Sequence, residues 1–481
     1  MSANCCVKSV PQPDSSFEVF PQALAAWQER LTAGLHRSLQ ASDQTMGHLE
    51  EEIQRQSREP QRVVLEEAAQ KKADQAAPVC PVCGGRLSRL RPGHERSYQT
   101  RFGVVTIRRQ RGWCRRCQRW FFPADHLLGL AETGGCSPGV QEMAALAVSK
   151  LPVAEASAVI ERLTGVKLPR ATLDREARRQ GQRAEAERQR RDEQMSQGGG
   201  DQLVPELRTG GALEPFTLVI ELDAWNIRER NPQDWGQTEQ LRQRGQEPEW
   251  WHWVYGGICF RLSQRVETAG GRSLILSRGT VMTRGGLEAL KQQIWAEAMR
   301  HGLGQAQDVL VIADGAVWIW NLVTDRFAQA RQRLDPWHVL QHLWAVAHTL
   351  YPKDEAAAAA WIGPLKEKLL ASEAVAVITE LDEVLKRLRG ARRAAVAVER
   401  NYLENNRERL DYRGVEERGE PGGSGAMEST CKQYQGRFHR SGQFWTQAGD
   451  EAIMCLETFW RNGRWSLLFP HVPADFDPSK N

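Results

Sequence analysis

The sequence predicts a mixed α/β fold, and two acidic strand ends followed by strand–helix alternation are the observations that predict it. Val309–Ala313 is a short apolar run typical of a buried strand, and Asp314 follows it directly. Phe216–Trp225 alternates into a second apolar run that presents Asp223. A carboxylate at the tip of a buried strand is costly unless it is paired or binds a cation. The two strand tips therefore suggest a metal site that needs a third ligand.

Length and composition limit the class of protein. The chain has 481 residues, which is too long for one hydrophobic core, so we expect about three domains. Hydrophobic residues make up 41% and charged residues 26%, as in ordinary globular proteins. The net charge of +4 is small, so a nucleic-acid surface would require local clustering of basic residues. No apolar stretch approaches the roughly 20 residues of a membrane span, and the first residues lack a signal-peptide core, so we expect a cytoplasmic protein without membrane contact.

Two C-x-x-C pairs predict a structural zinc site. Cys80 and Cys83 form the first pair, and Cys114 and Cys117 form the second. Two such pairs suit one tetrahedral zinc held by four thiolates. Between them, Tyr98–Gln110 alternates like a strand of a hairpin, as a zinc ribbon requires. We therefore expect one structural Zn²⁺ in a ribbon over residues 78–130.

The same segment is both basic and aromatic. Residues 80–122 hold eleven Arg and a single acidic residue, Glu95, with Trp113 and Trp120 among them. Basic and aromatic side chains together favour contact with nucleic acid, although the aromatic rings could merely pack under the hairpin. The candidates for DNA contact in the ribbon are Arg108, Arg109, Arg115 and Arg116.

Residues 131–195 are predicted to form a helical, helix-turn-helix-like unit. Val140–Lys150, Val153–Leu163 and Ala171–Gln180 have helical patterns, with a glycine-containing turn before the last. That last helix carries three further candidates for DNA contact, Arg175, Arg178 and Arg179. A generic three-helix connector is the alternative. A helical N-terminal arm over residues 1–77 is expected before the ribbon. Residues 181–213 are expected to be a helix that runs into a glycine-rich linker, with Gly198–Gly200 and Gly210–Gly211.

The segment 214–470 is predicted to form the main domain. The predicted strands are Phe216–Trp225, Trp251–Phe260, Ser273–Val281, Val309–Ala313 and a short one at Arg331–Leu334, with a helix over Gly286–Met299. Three antiparallel strands followed by strand–helix repeats describe a ribonuclease-H-like α/β fold. In that fold the first and fourth strands are neighbours, so Asp223 and Asp314 should meet at the same end of the sheet.

The third acidic ligand should lie on a late helix. A helix is predicted from about Ala426, with Ser424 as its N-cap and Glu428 in its first turn. The helix dipole alone would also favour a glutamate there. Lys432 lies on the same face one turn later, and it could contact a substrate phosphate or simply pair with Glu428.

A helical insertion over about residues 336–415 separates Asp314 from Glu428. Asp335 and Pro336 are ordinary helix-start residues before it. His338 and His342 share one face of its first helix, but no third metal ligand lies near them in the sequence.

Four segments together resemble a known family. IELDAW, VLVIADGAVWIW, DPWH and GSGAMES, behind the cysteine ribbon, are similar to bacterial insertion-sequence transposases of the Kra family, over about residues 78–470. The resemblance implies a DDE-type enzyme with a ribonuclease-H-like core. It implies that Asp223, Asp314 and Glu428 form the catalytic triad, and that Asp335 and His338 form a supporting D-x-x-H element. Gly often follows the first Asp in the family, whereas this chain has Ala224.

The expected activity is Mg²⁺-dependent cleavage of DNA at element ends, followed by strand transfer into target DNA. A pair of Mg²⁺ ions held by the three carboxylates would suit this chemistry. The resemblance implies double-stranded DNA, at element ends and target, as the partner of a homo-oligomer. Two alternatives stay open: a zinc-ribbon nuclease or resolvase that cuts without joining, and an inactive DNA-binding relative whose acids only cap helices.

Overall fold

The computed structural model describes residues 19–40, 43–200, 214–230, 237–245, 250–271 and 273–473. The chain is a mixed α/β protein that divides into two compact units, one of residues 1–144 with 154–173 and one of residues 145–153 with 174–481. Of the predicted linker, residues 201–213 lie outside the described residues. Among those that are described, no helix has the length and apolar character needed to cross a membrane. The division into four segments made from the sequence stays a prediction.

The first unit contains a pair of helices and a three-stranded antiparallel sheet. Its elements before residue 130 are α1 (Phe20–Gln40), α2 (Met46–Asp74), β1 (Ser88–Thr100), β2 (Gly103–Cys114), β3 (Arg119–Phe121) and α3 (Pro123–Leu127). Helix α2 packs on the sheet, where Leu65 and Ala69 contact a small core that contains Tyr98 and Val105. The unit is therefore built from one amphipathic helix face laid on one sheet face.

The hairpin of the ribbon begins earlier in the chain than the sequence pattern suggested. Tyr98–Gln110 was predicted as one strand, but Thr100 pairs with Gly103, so a two-residue turn divides this segment between β1 and β2. Gly103 has φ +129°, a conformation that other residues rarely adopt. The alternation survives across the turn because both strands place the same face on α2.

Three further helices follow the ribbon. They are α4 (Pro138–Lys150), α5 (Val153–Thr164) and α6 (Arg170–Ser196), and they confirm the three predicted helices. The last continues well beyond the predicted end at Gln180. Gly165, with φ +63°, forms the turn before it. Their role as a DNA-binding helix-turn-helix stays a prediction.

The second unit is organised around a mixed five-stranded sheet. In chain order the strands are β4 (Thr217–Glu229), β5 (Trp250–Arg261), β6 (Arg265–Glu267), β7 (Ser273–Ile275), β8 (Gly279–Thr283), β9 (Asp308–Ala313) and β10 (Arg331–Leu334). The order in the main sheet is β10-β9-β4-β5-β8, and β6 pairs with β7 in a separate ribbon. β9 is parallel to β4 and β10, whereas β5 is antiparallel to β4 and β8. The predicted contact between the first and fourth strands is thus confirmed.

The third predicted strand, Ser273–Val281, is wrong as a single element. Ser273–Ile275 belongs to the small β6–β7 ribbon, and only Gly279–Thr283 joins the main sheet. The sheet strand is buried along its whole length, whereas β7 is largely exposed. One apolar pattern therefore covered two strands with different environments.

Helices cover the sheet, and some form an insertion. They are α7 (Thr238–Gln243), α8 (Leu287–Arg300), α9 (Val317–Arg326), α10 (Pro336–Leu350), α11 (Glu355–Leu370), α12 (Ala374–Arg387), α13 (Gly390–Asn405), α14 (Gly425–Phe438), α15 (Gln447–Arg461) and α16 (Trp465–Leu468). Helices α10 to α13 lie between β10 and α14 in sequence, and α10 packs against both α11 and α13. Their buried residues continue the core of the sheet, because Leu343 and Leu381 belong to the same cluster as Leu222.

A buried carboxylate fixes the loop that leads from the insertion to α14. Glu420 is 4% exposed and forms ion pairs with Arg331 (2.7 Å), Arg333 (2.6 Å) and Arg418 (2.8 Å). Arg333 also donates to the carbonyl of Pro421. Burial opposes ionisation, but hydrogen bonds from Arg418 and Arg331 outweigh it and lower the pKa of Glu420 to about 2. The loop is therefore bound to β10 by charge.

We predict that Glu420→Gln lowers the free energy of unfolding by about 3–5 kcal/mol at pH 7, because it leaves the buried guanidinium group of Arg333 without its counter-charge. In the parent chain this contribution is fully present above the ordinary pKa of 4.5 and is lost as the pH falls towards about 2. Urea unfolding at several pH values measures both effects. Glu416→Gln, four residues away on an exposed side chain, is the matched control. Equal stabilities of the two variants would contradict the prediction.

Candidate functional site

The two acidic strand ends lie side by side. Leu222 and Ala313 are the last paired residues between the parallel strands β4 and β9, and Asp223 and Asp314 follow them. Neighbouring strands are about 4.8 Å apart, and aligned residues of parallel strands present their side chains on the same face. Both aspartates are partly buried. The sheet thus brings together two carboxylates that are distant in sequence.

Helix α14 covers the sheet face that carries Asp223. The thiol of Cys431 is hydrogen-bonded to the Asp223 carboxylate. Glu428 lies one turn before Cys431 on α14, and its charge also acts on that thiol. His338 Nε2 is 3.8 Å from Glu428 Oε1. The structure therefore gathers Asp223, Asp314, Glu428 and His338 at one end of the sheet, while their roles in catalysis stay a prediction.

The electrostatics of this site disfavour a bare negative charge. Burial is the largest effect and raises the pKa of Asp223, and the neighbouring charge of Asp314 raises it further. The backbone N–H of Ala224, at 2.7 Å from Asp223 Oδ1, lowers that pKa, as do Cys431 and His338. A bound cation would offset both the cost of burying the Asp223 carboxylate and its repulsion by Asp314.

A different carboxylate, Asp335, holds the start of α14. Its Oδ1 accepts the N–H of Trp337 at 2.7 Å, which confirms it as the N-cap of α10. Its Oδ2 accepts both the N–H (2.6 Å) and the hydroxyl (2.7 Å) of Ser424. Ser424 does stand at the N-cap position of α14, but its side chain caps nothing there, because the hydroxyl is committed to Asp335. Asp335 is fully buried, and through these bonds it holds the starts of α10 and α14 in place.

Glu221 is a supporting residue that the sequence did not single out. It lies two residues before Asp223 on β4, is fully buried, and accepts the N–H of Met427 at 2.8 Å through Oε2. Burial raises its pKa to about 8. Its Oε1 has no hydrogen-bond partner within the described part of the chain. The available signal was an acid inside an otherwise apolar strand, which is unusual because a buried carboxylate needs partners.

The helical insertion reaches the Asp314 loop. The ring of Tyr402 packs against Gly315, where a Cβ would collide with its phenol group. His342 stacks on Tyr402 with ring centroids 3.6 Å apart and is hydrogen-bonded to Glu399. His342 therefore packs with the insertion, whereas His338, one turn earlier, faces Glu428.

The four cysteines of the ribbon form a compact cluster. Their ligand atoms all lie within 4.8 Å of one another, and no other group of three or more such side chains in the described part of the chain does so. Sγ of Cys80 is 3.7 Å from Sγ of Cys117, and Sγ of Cys83 is 3.5 Å from Sγ of Cys114. Four sulfurs around a tetrahedral zinc at about 2.3 Å lie about 3.8 Å apart. The cluster is therefore suited to one Zn²⁺.

Protonation in this cluster is uneven. Burial opposes ionisation of Cys80, but the backbone N–H groups of Cys83 and Val82 lower its pKa to about 7. Hydrogen bonding to Cys83, together with burial, raises the pKa of Cys117 to about 12. Thiols packed this closely cannot all ionise without a cation between them.

The candidate DNA-contacting residues fall into different environments. Arg108, Arg115, Arg116 and Lys432 are exposed. The prediction that Arg109 contacts DNA does not agree with its position in the structure. Its side chain is 7% exposed, forms an ion pair with Asp125, and lies 4.1 Å from the centre of the Phe122 ring. Alternation along β2 turns Arg109 inward, away from any DNA surface.

The arginines of α6 have partners inside the protein. Arg178 is hydrogen-bonded to Asp174 (3.1 Å) and Thr446 (3.2 Å), and Arg179 to Glu176 (2.6 Å). Arg175 is exposed. Lys432 Nζ is 3.5 Å from Glu428 Oε2, so both of its predicted roles remain open.

Comparison with protein-family sequence models shows what part of the second unit is similar to. The sequence model of an uncharacterised protein family, UPF0236, matches residues 295–466. This segment includes Asp314 and Glu428 and begins after Asp223. No curated protein matches the chain.

We predict that Gly423→Ala disturbs the start of α14. A Cβ at this position would lie 2.8 Å from Asp335 Oδ2, so the loop or the carboxylate must move, at a cost of about 1–3 kcal/mol in unfolding free energy. Gly422→Ala is the control, since a Cβ there meets no atom within 4 Å. Both variants lose the same glycine flexibility, so the difference between their urea-unfolding free energies isolates the clash. No difference would argue against the tight contact.

We predict that Cys114→Ser removes stoichiometric zinc and destabilises the ribbon, because a three-thiolate site binds more weakly and metal binding is coupled to folding. Zinc content after purification and thermal unfolding with and without a chelator measure these effects. Cys136→Ser, which changes a buried thiol outside the cluster, should keep its zinc. Zinc retained by Cys114→Ser at the parent level would refute the assignment.

Proposed function

We propose that this chain is a DDE-type DNA transposase of a bacterial insertion sequence, which cleaves DNA at element ends in a Mg²⁺-dependent reaction and joins the ends to target DNA. The observation that carries the proposal is the parallel pairing of β4 with β9. It sets Asp223 beside Asp314, and α14 then brings Glu428 to the same end of the sheet. The resemblance to Kra-family transposases selects these same three residues.

The strand order supports a ribonuclease-H-like core. Three antiparallel strands in chain order, β4, β5 and β8, are followed by β9 and β10 added in parallel on the other side of β4. This is the order expected for that fold from the sequence pattern. A helical insertion between the second and third acidic residues also agrees with the resemblance.

The donor set fits Mg²⁺ rather than a softer metal. Mg²⁺ prefers carboxylate oxygens and retains several waters, so few protein ligands are needed. Asp223, Asp314 and Glu428 would hold the ions, and the raised pKa of Asp223 indicates a carboxylate that would gain from a cation. The oxygen atoms of the three carboxylates are farther apart than the sulfur atoms of the four cysteines. A site for two metal ions allows this spacing, because each carboxylate needs to bind only one of the two ions.

The chain's own residues would position the reacting groups. Bound Mg²⁺ would stabilise the attacking and leaving oxygens of an in-line displacement at phosphorus. His338 would orient Glu428 from 3.8 Å, and Asp335 would fix the helix that carries it. Lys432, exposed one turn after Glu428, is placed to contact a phosphate. Arg108, Arg115 and Arg116 of the ribbon would bind DNA outside the reaction centre.

We predict that Asp314→Asn abolishes Mg²⁺-dependent DNA cleavage and leaves DNA binding measurable, because it removes a metal ligand without removing a basic contact. Cleavage of labelled DNA carrying the element's own ends, and band shifts without Mg²⁺, measure the two properties. Asp308→Asn is the matched control, since Asp308 lies at the opposite end of the same strand. Cleavage by Asp314→Asn at the parent rate would falsify the assignment of the triad.

A strand-transfer assay separates the proposed function from its closest rival. A nuclease or resolvase with the same carboxylates would release cut ends and never join them to a second DNA. Joined products that require Asp223, Asp314 and Glu428 support a transposase, whereas cleavage without joining supports the rival. Binding without cleavage at any Mg²⁺ concentration would indicate an inactive DNA-binding relative.

A further inference from the structure

A large cleft opens beside Glu428 in the second unit. Its volume is about 1290 Å³, which exceeds the roughly 300–1,000 Å³ of a typical small-molecule site. The β6–β7 ribbon, the starts of α10 and α14, helix α11 and the end of α15 form its walls. Such a space can take more than one nucleotide.

Two basic side chains of this cleft have no hydrogen bond or ion pair within the described part of the chain. Arg278 and Lys366 line it, and neither side chain has a hydrogen bond or an ion pair with a described residue, although the charge of Glu221 acts on Arg278. Other basic side chains of the wall are already engaged: Lys150 and Arg461 with Glu457, and Arg265 with the carbonyl of Gly419. Unpaired cations near a cleft attract a polyanion.

Trp337 is an exposed tryptophan that lines the cleft together with Glu428. Trp337 is 64% exposed, lines the cleft, and has no aromatic or cationic group stacked on its ring among the described residues. It directly precedes His338, which faces Glu428. A large apolar ring left in water at such a place indicates a surface for a ligand with a flat face.

A buried carboxylate in the wall of the cleft has one oxygen without a hydrogen-bond partner. Glu221 lines the cleft, is fully buried, and has one oxygen, Oε1, without a partner within the described part of the chain. Such buried atoms are rare, because each lost hydrogen bond is costly. Because this oxygen has no exposed surface and the charge of Arg278 acts on Glu221, the carboxylate stabilises the wall of the cleft and does not itself contact a ligand.

We propose that this cleft binds unpaired nucleotides of the DNA substrate next to the position of cleavage. A base stacks on Trp337, and the phosphates of the strand contact Lys366 and Arg278. The strand must be unpaired here, since a base inside a duplex has no free face to offer an indole. The inference rests on the proposed function and specifies the state of its substrate.

The test compares single-stranded with fully paired DNA. Fluorescence anisotropy of the full-length chain without Mg²⁺ measures the affinity for a labelled mixed-sequence oligonucleotide, alone and annealed to its complement. Trp337→Ala should weaken single-strand binding about 5- to 100-fold and duplex binding far less, as expected for the loss of one stacked base. Trp337→Phe should retain most of the affinity. Trp253→Ala, another exposed tryptophan that does not line the cleft, should bind like the parent.

The charge contacts have their own readout. Lys366→Gln should reduce the slope of log affinity against log salt for the single strand by about 0.7, the value for one phosphate contact. Arg278→Gln should do the same, and exposed Lys366 keeps the test decisive if the partly buried arginine is needed for folding. An unchanged slope in Lys366→Gln overturns its phosphate contact.

The outcomes separate this inference from the function on which it rests. If Trp337→Ala binds both forms of DNA like the parent, or weakens both equally, the unpaired-nucleotide site is overturned while Asp314-dependent cleavage still stands. If Trp337→Ala loses only the single-strand preference, the site is supported. Failure of the proposed function would instead show as cleavage that does not depend on Asp314, whatever the binding results.

Discussion

The parallel pairing of β4 with β9 creates an electrostatic problem that the rest of the second unit is arranged around. It aligns Leu222 with Ala313, so the next residue on each strand is an aspartate facing the same side. Two partly buried carboxylates this close repel each other, and the raised pKa of Asp223 expresses that repulsion together with burial. Such an arrangement persists only if the surrounding structure enforces it, and strained charges of this kind are concentrated at functional sites.

What enforces it is a second set of carboxylates, all of them buried, which hold the elements around Asp223 and Asp314. Asp335 and Glu221 accept backbone N–H groups from Ser424 and Met427, and thereby hold the first turn of α14 against the sheet. Glu420 binds the preceding loop to β10 through two arginines of that strand. These bonds cross 89, 206 and up to 89 residues of sequence. The location of Glu428 therefore depends on how the chain returns from its insertion.

The sequence was informative wherever a local pattern carries the structure. Apolar runs with acidic ends identified β4 and β9, and the short strand Arg331–Leu334 has the predicted bounds. It was less informative where an outcome depends on distant partners. The predicted strand Ser273–Val281 is two strands in the structure, because only its second part, in Gly279–Thr283, pairs with β5. The side chain of Arg109 is buried because it pairs with Asp125 and packs on the ring of Phe122. The role of Glu221 could not be seen, because its partner Met427 lies on another element.

Under the proposed function, the carboxylates beside the cleft would repel the phosphates of a DNA substrate. A DNA strand that enters near Glu428 brings negative phosphates towards Asp223 and Asp314, which are already in conflict. The approach becomes favourable only if cations stand between phosphate and carboxylate, which is the arrangement that divalent ions provide. Arg278 and Lys366 line the cleft, so under the proposed function they can attract the strand while Asp223 and Asp314 stay available to divalent ions. Under the proposed function, attraction and catalysis are thereby assigned to separate groups, and metal binding becomes the condition for productive entry of the substrate.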